Sequence, residues 1–163
     1  MSLNEELIEA SKRGDIGKVM DSIGQGAEID ASAKFDFTPL MYASMNGYLE
    51  IVKFLVGREA DVNKKNQLQW TSLCYASSRG QLDVVRFLLD NGADINARCQ
   101  DGCTALMWVI RQQTNRIEMV KFLVEQGADI NAKSEHHITT LQIAYNNEEY
   151  EIAKFLEEFG ATR

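Results

Sequence analysis

Apolar positions in this chain follow a helical rhythm, and the rhythm itself returns in blocks. Between Leu49 and Val56, the residues Leu49, Val52, Leu55 and Val56 fall three or four apart, which gathers them on one face of a helix. Glu50, Lys53 and Phe54 give the opposite face its mixed character. Just upstream, Leu40, Ala43 and Ser44 form a narrow face of small residues that can lie close against a neighbour. Thr38 is suited to cap that shorter helix with its hydroxyl. Pro39, the single proline, stands at the first helical position, where a missing N–H costs nothing. Gly47 then suits a left-handed helix end. The pattern predicts helix, tight turn, helix, and then a loop at Glu59-Ala60-Asp61-Val62-Asn63 rich in turn formers.

The unit recurs. TPLMYASMNGYLEIVKFL, TSLCYASSRGQLDVVRFL, TALMWVIRQQTNRIEMVKFL and TTLQIAYNNEEYEIAKFL are four copies of one pattern. Thr38 and Thr71 lie 33 positions apart, as do Thr71 and Thr104, whereas Thr104 and Thr139 lie 35 apart. The two extra residues fall near Gln112 to Asn115, between the helices of the fourth copy, and read as a longer turn. Residues 4–32 fit as a divergent first copy, opened by a capping box of Ser2 with Glu5. A period of this length marks a supersecondary unit that buries its apolar face only by stacking on its neighbours. The expectation is one all-α domain over residues 1–163: a solenoid of stacked helix-turn-helix units joined by β-hairpin loops. Its approximate repeats are 1–32 as N-terminal cap, 33–65, 66–98, 99–133, and 134–163 as C-terminal cap.

Certain positions carry more than periodicity. The run Thr-Pro-Leu at 38–40, Gly47, Ile51-Val52 and Ala60-Asp61-Val62-Asn63 match D-x-x-G-x-T-P-L-H-x-A-A-x-x-G-H-x-x-I/V-V-x-x-L-L-x-x-G-A-D-x-N. Gly80, Val84-Val85, Leu88-Leu89 and Gly92 to Asn96 match it again, as do Gly102, Thr104, Leu106, Val120, Leu123 and Gly127 to Asn131. In these residues the chain resembles the ankyrin-repeat proteins over nearly its whole length. It departs from them at the histidine after Thr-Pro-Leu, which is Met41, Cys74, Met107 and Gln142 here. The opening aspartate is replaced by Ala33, Asn66, Cys99 and Ser134, so looser hairpins are expected.

Charge sharpens this picture. The net charge of −7 divides into seven acidic and three basic residues over 1–32, six and two over 134–163, and eleven and twelve between. Acidity therefore sits at the two ends, as solvated caps need. No basic stripe suits nucleic acid, and apolar runs such as Ala105 to Ile110 are too short to span a bilayer. With no secretory signal at Met1 and three cysteines in no framework spacing, a cytoplasmic location is expected, with the nucleus as the alternative. Cys74 reads as a small buried hydrophobe.

Candidate chemistry is sparse. His136 and His137 are the only histidines, and no nucleophile elbow, phosphate loop or zinc-protease helix is present. Cys99, Cys103, His136 and His137 lack the spacing of structural zinc sites. The expectation is a non-enzyme without metal or cofactor. The family resemblance implies instead a monomeric adaptor or scaffold that binds a partner protein with its hairpin tips and the inner faces of its first helices, a concave surface. An inhibitor occluding an enzyme, or a regulatory segment of a larger protein, are the alternatives. Residues expected on that surface are Phe35, Phe37, Met45, Leu68, Trp70, Arg79, Asp101 and Arg111, with Phe35, Phe37, Leu68 and Trp70 half buried and with bracing of one hairpin against the next as the equal alternative for Phe37 and Trp70. Aromatic and arginine side chains are the usual anchors of interfaces. Tyr42, Tyr75 and Trp108, one step further in, are assigned to packing. Asn63, Asn96 and Asn131 resemble the context in which ankyrin domains are hydroxylated, although the same residues serve the turn.

Overall fold

A computed structural model describes residues 1–112 and 116–162. The two extra residues expected near Gln112 to Asn115 thus fall largely outside the described residues. The chain divides into two compact units, Met1–Ala93 and Asp94–Arg163. Among the described residues, ten α-helices form five antiparallel pairs, the all-α repeat architecture that the periodicity predicts.

The first unit holds α1 (Leu3–Arg13), α2 (Ile16–Gly24), α3 (Pro39–Asn46), α4 (Leu49–Gly57), α5 (Ser72–Arg79) and α6 (Leu82–Asp90). The first helices of successive pairs pack in one layer, α1 on α3 and α3 on α5, and the second helices pack in another, α2 on α4 and α4 on α6. Leu7, Leu40 and Leu73 from the first layer and Val19, Val52, Leu55, Val85 and Leu88 from the second are fully buried between them. In the second unit, α7 (Ala105–Arg111) packs on α9 (Thr140–Asn146) and α8 (Ile117–Glu125) on α10 (Tyr150–Glu158). Leu106, Ile110, Leu123, Leu141 and Leu156 form the core there. Burying a Leu of this kind contributes about 1.5–3 kcal/mol, and each lies under a neighbouring repeat as well as its own.

The threonine that opens each copy caps as its chemistry dictates. The hydroxyls of Thr38, Thr71 and Thr139 each accept from the backbone N–H three residues on, at 3.2 Å. Thr104 does so at 3.5 Å. Ser2 and Glu5 form the predicted capping box. Gly47 ends α3 at φ 76, and a Cβ there would meet the Gln81 carboxamide of the next repeat at 2.3 Å. Glycine is required at that position for both backbone and space.

The loops correct one expectation. They are not strand ladders among the described residues: inside each of the four loops ahead of the threonine caps lies a turn bond from an N–H to the carbonyl three residues back, and further backbone hydrogen bonds close the arms. These run from Ala33 N–H to the Phe37 carbonyl, Asn66 to Trp70, Cys99 to Cys103 and Ser134 to Ile138. Arms this short hold little more, and the one bridge among the described residues is Lys133 with Thr139. Nor are the loops that lack aspartate undone. The Asn66 carboxamide oxygen accepts from Leu68 and Trp70 N–H, and the Ser134 hydroxyl accepts from Ile138, so side chains of a different length bind the same turn. The turn asparagines tie repeat to repeat. Asn63 donates to the Gly92 carbonyl, Asn96 accepts from Asp129 N–H, and Asn131 accepts from Thr162 N–H.

Ser11 and Ser44 hold buried hydroxyls without a hydrogen-bond partner, one period apart. Ser44 stands where the ankyrin pattern carries alanine. Burying an unpaired hydroxyl costs about 1–3 kcal/mol, so Ser44→Ala is expected to raise the unfolding free energy by about 1 kcal/mol in a urea titration. An unchanged or lower midpoint would show that the hydroxyl is satisfied.

Candidate protein-binding surface

In the first unit the loops at 33–37 and 66–70 lie side by side, joined by a backbone hydrogen bond of 3.1 Å from Gln67 N–H to the Phe35 carbonyl. The two tips therefore present their side chains together. Phe35 is 48% exposed and Leu68 44%, large apolar groups in water. Contiguous exposed apolar side chains of this size mark an interaction surface more often than not.

Beneath the tips runs a column of aromatic rings drawn from two repeats. The Phe37 ring lies 4.9 Å from that of Tyr42 and 5.0 Å from that of Tyr75, and Trp70 stacks on Tyr75 at 4.7 Å. Such pairs contribute about 0.5–1.5 kcal/mol each beyond their burial. Asn66 Nδ2 donates to the Tyr75 hydroxyl at 2.8 Å. Burial pushes the Tyr75 hydroxyl above its ordinary pKa of 10.0, the Asn66 hydrogen bond opposes this, and Tyr42 adds to it. Phe37 is half buried as expected, and so is Tyr42, which was assigned to packing, but Trp70 is not: at 9% exposure it lies within the column rather than on the surface. Its place ahead of Thr71 matches that of Phe37 ahead of Thr38, yet Tyr75 on the following turn of helix covers it.

Met45 and Arg79 lie at the ends of the packed helices α3 and α5, the first half buried and the second exposed. In the second unit Asp101 is half buried, and its carbonyl accepts from Glu135 N–H at 2.8 Å, which joins two further tips. Arg111 lies over the Trp108 ring, 5.2 Å from its centroid. Cys103 is a buried thiol whose pKa burial raises from 9.0, the opposite of what a nucleophilic cysteine needs. Cys74 is fully buried in the core, where the sequence reading put it. His136 and His137 are exposed. Among the described residues, no three metal-ligating side chains converge, and no helix is long and apolar enough to cross a membrane.

Backbone strain at the tips escaped the sequence reading. Two residues before each threonine cap, Asp36, Gln69 and His137 have φ of 60, 62 and 58, as does Gly102 at 67. The ankyrin pattern carries glycine there, so the signal was present in the sequence. Phe35 adds a second left-handed residue at φ 63, a bulky side chain in a region that favours glycine.

Paired helices repeated at fixed period, with joined loop tips and no catalytic cluster among the described residues, define a helical repeat module. The family model for ankyrin repeats matches residues 7–99 and 95–162. This chain belongs to the ankyrin-repeat family. No curated relative matches it.

Relieving the strain is expected to be visible. Gln69→Gly keeps the hydrogen bond from residue 69 N–H to the Asn66 carbonyl while removing a left-handed cost of about 1–2 kcal/mol. Part of that gain is offset by the larger freedom of glycine in the unfolded chain. A net rise of about 0.5–1 kcal/mol in stability is expected by denaturant titration; a loss would show that the Gln69 side chain itself holds the tip.

Proposed function

We propose that this chain is a non-catalytic adaptor that binds a partner protein on its loop tips and first-helix face. Ankyrin repeats are as a rule protein-interaction modules and typically non-catalytic. The observation that carries the reading here is the pair of exposed apolar tips, Phe35 and Leu68, held side by side above a rigid aromatic column. Their placement is costly: an apolar ring in water on a left-handed backbone is retained where it contributes to function more than it costs in stability. Phe37, Met45 and Arg79 extend the same surface along α3 and α5, and Trp70 supports it from below. Asp101 and Arg111 supply the corresponding positions of the second unit. The protein acts as a monomer in the cytoplasm or nucleus, without metal or cofactor.

Affinity purification tests this. A Phe35→Ala, Leu68→Ala double variant is expected to keep its helical circular dichroism and to lose partners that the native chain retains, by about 1–4 kcal/mol for anchor side chains. Retention of every partner by the folded variant would remove these tips from the interface.

A further inference from the structure

The tip loops take two backbone forms on one frame. Loops 33–37 and 66–70 have the same length and the same inner bonds. Asp36 N–H donates to the Ala33 carbonyl and Ala33 N–H to that of Phe37; Gln69 donates to Asn66 and Asn66 to Trp70 in the same way. They part at the residue between. Phe35 is left-handed at φ 63, whereas Leu68, at the same place in its loop, is not. The second unit holds the same pair of forms within itself, with Asp101 left-handed at φ 59 and His136 outside that region.

The left-handed form serves one bond. The carbonyls of Phe35 and Asp101 are the ones that accept from the neighbouring tip, from Gln67 N–H at 3.1 Å and from Glu135 N–H at 2.8 Å. The two differ in cost. Aspartate enters the left-handed region readily, because its short polar side chain bonds locally, and a bulky ring does not. At Phe35 the backbone penalty and the net gain from a single hydrogen bond at the surface are of the same size, so neither prevails. At Asp101 the bond meets little opposition, and it is the shorter of the two.

We propose that loop 33–37 is a two-state element. In the joined state Phe35 is left-handed and its carbonyl holds Gln67 N–H; in the released state Phe35 takes the form that Leu68 shows and the bond is open. The Asp101 tip stays joined to its neighbour. Joining sets Phe35 and Leu68 side by side, and release parts them. A ligand shifts such an equilibrium by preferring one state, and a partner that bridges both apolar tips binds the joined one. Its apparent affinity is then lowered in proportion to the fraction of chains that are joined. This use of the switch rests on the protein-binding role above, while the switch itself is a property of the free chain.

The test is amide hydrogen exchange, followed by NMR on the full chain without a partner, where each N–H reports the opening of its own bond. After correction for the intrinsic rates of the two sequences, Gln67 N–H is expected to exchange about fivefold or more faster than Glu135 N–H. Phe35→Asn suits a left-handed backbone and should slow Gln67 about fivefold, and Asp101→Phe should speed Glu135 by a similar factor. The direction separates this from simple shielding, since a ring that only covered Gln67 N–H would leave it faster on removal. Unchanged or faster exchange at Gln67 in Phe35→Asn, with helical circular dichroism retained, would overturn the proposal, and that variant decides it alone if Asp101→Phe does not fold. Because no partner is present, a result against the switch leaves the binding role standing, and loss of the binding role leaves the switch.

Discussion

No helix pair in this chain can cover its own apolar face, and everything else follows from that shortage. A unit such as α3 with α4 offers Leu40 on one side and Val52 and Leu55 on the other, yet all three are fully buried only because α1, α2, α5 and α6 lie on them. Stacking in register brings equivalent residues of successive repeats next to each other. Threonine caps, helix-ending glycines and turn asparagines then recur as columns, and each column can be used as a joint. Asn63 bonding to Gly92, or Gln67 to Phe35, are such joints.

The same register creates the surface. Phe37 and Tyr42 come from one repeat, Trp70 and Tyr75 from the next, and only the stack makes one column of them. That column supports the loops from below, so their tips tolerate residues that would otherwise be costly. Left-handed backbone at Phe35, Asp36 and Gln69 and apolar exposure at Phe35 and Leu68 occur together in these two loops. A firm base and a strained rim with apolar side chains in water are properties of one arrangement.

Most of the fold was legible because it is written locally and five times over. Thr38, Pro39 and Gly47 state where α3 starts and stops, and spacing states which face α4 buries. The loops were less legible. A two-residue arm has no alternation to read, so the expected β-hairpins resolve into tight turns held by a few backbone hydrogen bonds, and the aspartate lost at 66 and 134 is replaced by Asn66 and Ser134 through contacts that depend on side-chain length. Among site residues, Phe35 and Leu68 could be read from their place ahead of the caps. For Trp70 the sequence left contact and brace equally open, because its burial is decided by Tyr75, a residue whose counterpart in the preceding repeat, Tyr42, stays half exposed. The substitution of tip glycines by Asp36, Gln69 and His137 was visible in the motif but carried meaning only once the φ angles were known.

The account turns on neighbouring repeats leaning on each other through the aromatic column, and a double-mutant cycle measures that directly. Phe37→Ala, Tyr75→Ala and the double variant, unfolded in urea, are predicted to give a coupling energy of about 0.5–1.5 kcal/mol across the two repeats. Additive losses, with a coupling within about 0.3 kcal/mol of zero, would mean that the two loops stand independently, and the surface built on them would have no common base.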